Sequence, residues 1–296
     1  YEVTQISPYA FYLESTLLSI TLPESIKSIG AEAFYECMRL KTVDFGANPS
    51  LESLGYQAFA YCYELRSIII PATVTELDWY VFYDCYKLET AIFAEGIQIT
   101  EIPYGMFNYC ENLREIVIPA TVTVIGPEAF SGNYNLSSIT FAPGSQLEII
   151  DNFAFSSNYS LVDFVLPDTV TTIGTYAFAY NTKLVNFNFG ENSQLTTLGN
   201  SVFSDNYSMV SIVLPESVTT MGSGLFNNCS SLETFTFPAN LTTIPDNMFY
   251  NCEELVSVYF PEDSTISSVG NLAFMYCDSL VDITLPDSVT IIGYNA

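Results

Sequence analysis

Apolar residues recur along this chain in blocks of fixed length, and one Phe marks each block, at 11, 34, 59, 82, 107, 130, 155, 178, 203, 226, 249 and 274. The spacings are 23 or 25 residues. Periods of roughly 20–29 residues fit one coil of a solenoid, not a helix pair. Six, nine and eleven residues after each marker stand apolar side chains, as in Leu65, Ile68 and Ile70, or Leu113, Ile116 and Ile118. The last two alternate, which is the period of a half-buried strand. Pro follows in most units, for instance Pro71, Pro119, Pro167 and Pro215, and its missing N–H ends the ladder. A second short β segment closes the coil, at Val74 to Leu77, Val122 to Ile125 and Val170 to Ile173. The stretch from Gly174 to Phe178 and its equivalents predicts a short helical turn, entered in some units by N-cap residue types such as Ser7, Asp78 and Asp151.

These positions predict a mainly β chain: about twelve coils of 23–25 residues, with one principal parallel strand per coil and short helical turns between. The longer coils place their two extra residues just after the strand, at 45–53, 93–101, 141–149 and 189–197. Because the chain starts and stops inside a unit, residues 1–296 read as a single solenoid that is a fragment of a longer array or precursor.

The run Leu113, Ile116, Ile118, Pro119, Val122, Thr123, Ile125, Gly126, Ala129, Phe130, repeated from Leu280 to Gly293, resembles the unit of the BspA-like, Treponema-type leucine-rich repeat family. The resemblance spans essentially the whole chain. It implies a leucine-rich-repeat solenoid, and a cell-surface or secreted protein that binds other proteins, including adhesion to host cells and matrix proteins. One corner departs from the more familiar leucine-rich consensus: where that has Asn or Cys, this chain has Thr73, Thr121, Thr169 or Ser217.

Composition narrows the function further. Seven Lys and Arg against 33 Asp and Glu give a formal charge of −26, which repels nucleic acid and anionic lipid. With 49% hydrophobic residues the chain has material for a core. It contains no His, which removes Ser-His-Asp and Cys-His chemistry and imidazole metal ligands. The reading is therefore non-enzymatic, without a cofactor and without membrane insertion in this segment.

All seven Cys fall three residues after a marker Phe: Cys37, Cys62, Cys85, Cys110, Cys229, Cys252 and Cys277. Asn133, Asn158, Asn181 and Asn206 fill the same place in other units. Interchange of Cys and Asn points to a buried corner where a small side chain meets neighbouring backbone. A zinc site would need converging thiolates, and a ladder projects them in parallel. Parallel side chains also hold neighbouring Cβ atoms beyond the roughly 3.8 Å of a disulfide, so free thiols are expected. The sequons at Asn158 and Asn206 fall on this corner, where no glycan is expected.

Acids two residues past the strand, among them Glu24, Asp168, Glu191 and Glu216, read as a solvated turn row, with calcium binding as the alternative. The outward strand positions, ten after each Phe, include Ile69, Ile92, Val117 and Val165. Such a stripe serves either a protein ligand or simply strand propensity. Tyr63 and Tyr86 on the adjoining bend serve either contact with that ligand or packing from coil to coil. Six of the seven basic residues precede residue 115, which favours an acidic or mixed-charge partner at that half, or pairing with the Glu residues interspersed there. The first reading is an adhesin-like extracellular or cell-surface module that binds a protein ligand, such as a host matrix or cell-surface protein, on its strand face. The alternative is a rigid spacer or stalk in a larger surface protein.

Overall fold

The computed structural model describes residues 2–296 and forms two compact units, Tyr1–Leu147 and Glu148–Ala296. Each is a β-solenoid of parallel strands, and among the described residues there is no helix.

In the first unit the principal strands are Ser19–Thr21, Thr42–Asp44, Ser67–Ile70, Thr90–Phe93, Glu115–Ile118 and Ser138–Phe141. Ile68 pairs with Ala91 and Ile69 with Ile92, so equivalent residues of successive coils stand side by side. The second β segment also forms ladders, although each piece is only two residues long, as where Ile29 pairs with Leu54 and Leu54 with Leu77. The second unit repeats the plan. Asp163–Val165 pairs with Asn186–Asn188, and Ser211–Val213, Thr234–Thr236 and Ser257–Tyr259 form a three-stranded ladder. The short strands from Ile149–Ile150 to Thr220–Met221 line its other side.

Inside each unit the marker Phe rings stack coil upon coil. Phe11, Phe34, Phe59, Phe82 and Phe107 follow one another at 4.9–5.6 Å and within 9° of parallel. Phe155, Phe178, Phe203, Phe226, Phe249 and Phe274 do so at 5.3–6.1 Å in the second unit. Most of these rings are fully buried, and at roughly 1.5–3 kcal/mol for each buried side chain they dominate the core.

The predicted helical turn around each marker does not form. The segment is instead a chain of separate turns, such as Ala10 N–H to Ser7 C=O, Tyr12 to Tyr9 and Glu14 to Phe11. Residues two before and two after every marker have positive φ, among them Tyr9, Leu13, Glu32, Glu36, Tyr80 and Asp84. A positive φ at the third residue is what a type II turn needs, and it breaks a helix. The N–H groups freed by this reversal donate to the next coil: Glu32 to Tyr56, Phe34 to Ala58 and Glu36 to Ala60, at 2.7–2.9 Å. Inter-coil pairing has displaced the helical bonds.

Gly four before the marker has a different cause. A Cβ on Gly55 would lie 2.7 Å from the Ala31 nitrogen, and one on Gly222 2.5 Å from the Asn200 nitrogen. These coils touch backbone to backbone at that corner. The corner that carries Thr or Ser is stitched by hydroxyls, with Thr73 Oγ1 donating to Leu51 C=O at 2.6 Å and Thr121 Oγ1 to Ile99 C=O at 2.7 Å.

Candidate functional site

The strands place every second side chain outward. Ile69, Ile92 and Val117 therefore stand on one sheet of the first unit, with exposures of 57%, 47% and 56%. Ile69 is directly paired with Ile92, and the pairing of Glu115 with Thr90 sets Val117 beside Ile92. Val165 is also exposed, but it belongs to the second unit, where it pairs with Asn188.

That unit has its own apolar row, seven residues after the marker, which the outward strand positions do not reveal. Val162, Val210 and Val256 are exposed there, and the Val185 N–H donates to Val162 C=O at 2.9 Å. The row is readable in the sequence once the coils are aligned. In the first unit the same position carries Lys41, Arg66, Glu89 and Arg114, which disguises it.

Arg66, Glu89 and Arg114 of this row, with charges from neighbouring positions, are engaged across coils. Arg66 meets Glu89 at 2.6 Å, Arg114 meets the same carboxylate at 3.8 Å, Lys87 meets Glu64 at 2.5 Å and Lys27 meets Glu52 at 3.0 Å. The hydrogen bond from Lys87 lowers the Glu64 carboxyl pKa. Four of the six basic residues in this half are thus held in ion pairs.

Two grooves cross the strand face of the first unit, with volumes of about 480 and 580 Å³. The first is floored by Ile69 and Pro71 and walled by Phe45, Gly46 and Ala94. The second is floored by Val117 and Pro119 and walled by Phe93, Ile97 and Ala142. They repeat every two coils because the long bends, which form the walls, alternate with short coils, which form the floors. A groove of the second unit follows the same plan over Val213 and Pro215, against Phe189.

On the adjoining bend, Tyr12, Tyr35, Tyr61, Tyr83 and Tyr109 run coil to coil at 5.2–6.0 Å. Burial, followed by neighbouring phenols and carboxylates, pushes the Tyr35 and Tyr83 phenols up to about 12, so they remain neutral. Tyr63 packs edge-on to Tyr61 at 6.1 Å. Tyr86 is 43% exposed, and its C=O accepts the Asn112 amide at 2.7 Å. Much of the tyrosine row is packing, and Tyr86, Tyr12 and Tyr109 also stay exposed.

The Cys row is a buried corner. All seven thiols are free, and each Sγ–H points to the carbonyl of the preceding marker Phe, as in Cys62 to Phe34 at 3.3 Å and Cys85 to Phe59 at 3.2 Å. Asn181 makes the same bond to Phe155 C=O at 3.0 Å, adds one to Phe178 C=O at 2.7 Å, and accepts the Asn158 N–H at 2.9 Å. Asn206 repeats the arrangement, and Asn133 is equally buried. Of the acidic turn row, Glu24 accepts the Ala47 and Asn48 N–H groups and Glu216 accepts that of Ala239, all at 3.0 Å. Among the described residues no three Cys, Asp or Glu converge as a metal site, and no helix is long and apolar enough to cross a membrane.

The sequence profile of the BspA type leucine rich repeat region matches in six copies, over residues 4–137, 100–207 and 192–296. No curated protein matches the chain. Among solved structures, a leucine-rich repeat protein from Bacteroides ovatus is 24% identical with a TM-score of 0.68, covering 99% of this chain and 79% of that one. The pneumococcal vaccine antigen PcpA is 20% identical with a TM-score of 0.60, over 98% and 79%. A leucine rich cell surface protein from Faecalibacterium prausnitzii is 22% identical with a TM-score of 0.54, over 100% and 84%. At these identities the likeness is one of fold.

Proposed function

The chain belongs to the BspA-type leucine-rich repeat family, and from that membership we propose that it is a non-enzymatic, adhesin-like module that binds a protein ligand on its strand face outside the cell. The observation that carries this reading is the exposed Ile69, Ile92 and Val117 row on a rigid sheet. Strand propensity alone would be served by Thr, which the same row uses at Thr21, Thr140, Thr236 and Thr284. Contiguous exposed apolar surface marks an interaction site. The likeness to a leucine rich cell surface protein of F. prausnitzii and to the pneumococcal vaccine antigen supports a surface location, where the ligand would be a host matrix or cell-surface protein.

The test is binding of the immobilised chain to matrix and cell-surface proteins. Binding energy concentrates in a few central residues, so Ile92→Asp and Val117→Asp are each expected to weaken it about tenfold or more, and Thr236→Ser to leave it unchanged. Folded Asp variants that bind normally would return the module to a spacer role.

A further inference from the structure

The two grooves of the first unit share a period that constrains what lies in them. Their floors, Ile69 and Val117, are two coils apart. At the inter-strand spacing that is about 9.6 Å. A polyproline II segment has three residues per turn and rises about 3.1 Å per residue, so side chains at i, i+3 and i+6 lie on one face about 9.3 Å apart. An extended strand repeats on one face every two residues, about 6.7 Å, and falls out of step with the grooves. An α-helix reaches the spacing only at i+7, about 10.5 Å, and drifts by about 0.9 Å per groove.

Charge adds a second constraint. Asp44 lines the first groove, Glu95 and Glu115 line the second, and no Lys or Arg lines either. Of the cations next in sequence to the linings, Arg66 and Arg114 are both tied to Glu89, and Lys41 precedes Thr42 without lining the groove. An occupant therefore needs apolar side chains for the Ile, Val and Phe surfaces and positive charge between them.

We propose that the strand face of the first unit binds a basic, proline-rich segment in the polyproline II conformation, one apolar side chain of every third residue entering each groove. This rests on the strand face being the binding surface and names the class of partner. The groove of the second unit shares the shape, but its lining holds Asn186 and Asn188 and no carboxylate. It lacks the charge that would hold the basic positions, so binding is assigned to the first unit.

The probe is a fluorescent peptide of five Leu-Pro-Lys repeats, titrated with the full chain and followed by anisotropy. Two controls are a Leu-Gly-Lys peptide, which keeps the spacing but loses the preformed helix, and a peptide of the same composition with the three-residue period broken. The repeat peptide is expected to bind at least tenfold more tightly than either, and more weakly as salt rises. Ala72→Trp and Ala120→Trp, which fill one groove each from its lining, are each expected to cost fivefold or more; circular dichroism verifies that both variants are folded. Equal affinity for the repeat and broken peptides overturns the proposal. So does tighter binding of a Leu- and Lys-rich heptad helix, or Trp variants that bind as well as the parent. If these peptides fail while Ile92→Asp still weakens binding of a matrix or cell-surface protein, the polyproline assignment falls and the strand-face reading stands. If Ile92→Asp leaves that binding intact, the strand-face reading itself falls.

Discussion

Three residues after the marker Phe, the first unit places Cys37, Cys62, Cys85 and Cys110 between Glu14 and Asn133, whereas the second opens with Asn158, Asn181 and Asn206 before turning to Cys229, Cys252 and Cys277. In the Cys coils the backbone N–H bonds within its own coil, as Cys85 does to Phe82, and the thiol reaches one carbonyl of the coil before. In the Asn coils the backbone N–H of one Asn is accepted by the side chain of the next, and the freed Phe carbonyl is taken by the amide. A Cys corner thus meets its neighbour through one weak thiol bond, while an Asn corner also gives its backbone N–H to the next coil. The cores differ too. Nine after the marker the first unit has Ile68, Ala91, Ile116 and Ile139, and the second has Phe164, Phe187 and Phe235. Those rings meet the marker ladder edge-on, Phe164 to Phe178 at 4.7 Å and Phe187 to Phe203 at 4.9 Å. The Cys coils are the more interchangeable parts, and the Asn coils with their edge-on Phe rings are the more coupled ones.

The largest expected effect tests the cores. Phe178→Ala removes stacking and edge contacts together and should cost about 5 kcal/mol, against about 3 kcal/mol for Phe59→Ala, by the range for core Phe truncations. Urea midpoints measure both; equal losses would mean that the edge contacts add nothing beyond buried area. Next comes the corner. Asn181→Leu strands the Asn158 N–H and removes one of two donors at each of the Phe155 and Phe178 carbonyls, which keep the Asn158 and Asn206 amides, and should cost about 2–4 kcal/mol, while Cys85→Ala loses one weak bond and a small volume, about 1–2 kcal/mol. Asn181→Cys should fall between them, since Cys restores the bond to Phe155. A Cys swap as costly as Leu would remove the distinction between the two corners.

The third test is alkaline. Burial pushes Cys37 up to about 11 and Cys229 and Cys277 up to about 12. The unfolded chain releases these protons near pH 8.5. The folded chain holds them, so their contribution is intact below that pH and is lost as pH rises towards 11–12. The urea midpoint should fall between pH 8 and pH 10.5. Replacing Cys229, Cys252 and Cys277 by Ala should flatten part of that slope, and an unchanged slope would mean that the thiols are not protected.

The smallest effect contrasts two aspartates, each two after its marker. Asp205 accepts Tyr207 Oη at 3.0 Å and Asn228 Nδ2 at 2.9 Å. At Asp84, burial and then the Glu111 charge push the carboxyl up to about 6. Its protonated form is the one the fold favours, so the favourable contribution is present below about pH 4 and lost as pH rises through 6. Asp84→Asn should therefore raise the melting temperature by a degree or two at pH 7 and do nothing at pH 3.5. Asp205→Asn should lower it at pH 7. A matching rise in both would show that their surroundings are equivalent.

The coil length, the strands and the Cys/Asn corner were legible because each depends on which side chains are apolar and how they alternate. The turn around the marker was not, because hydrophobicity is silent on the sign of φ. A subtler trace was present: none of the residues two before or two after a marker is Val, Ile, Thr or Pro, the types least tolerant of positive φ. It shows only when all the coils are aligned. The candidate face was legible at Ile69, Ile92 and Val117, since outward strand residues follow from the alternation. The grooves were not, because they arise from differences in bend length between neighbouring coils and not from any one residue.

The turns around the markers also give each coil an electrical sense. In both units the N–H groups two before, at and two after the marker all point to the following coil, as in Gln57, Phe59 and Tyr61 or Tyr176, Phe178 and Tyr180. A parallel sheet sends its peptide groups both ways and nearly cancels its dipole; here three per coil add head to tail. Along this strip a coil has a donor side and an acceptor side, while N–H groups elsewhere, such as Gly30 to Ile6 C=O and Glu89 to Arg66 C=O, point back to the preceding coil. Donor can meet only acceptor along this strip, so successive coils stack there in one orientation and never by mirror-like pairing of like sides.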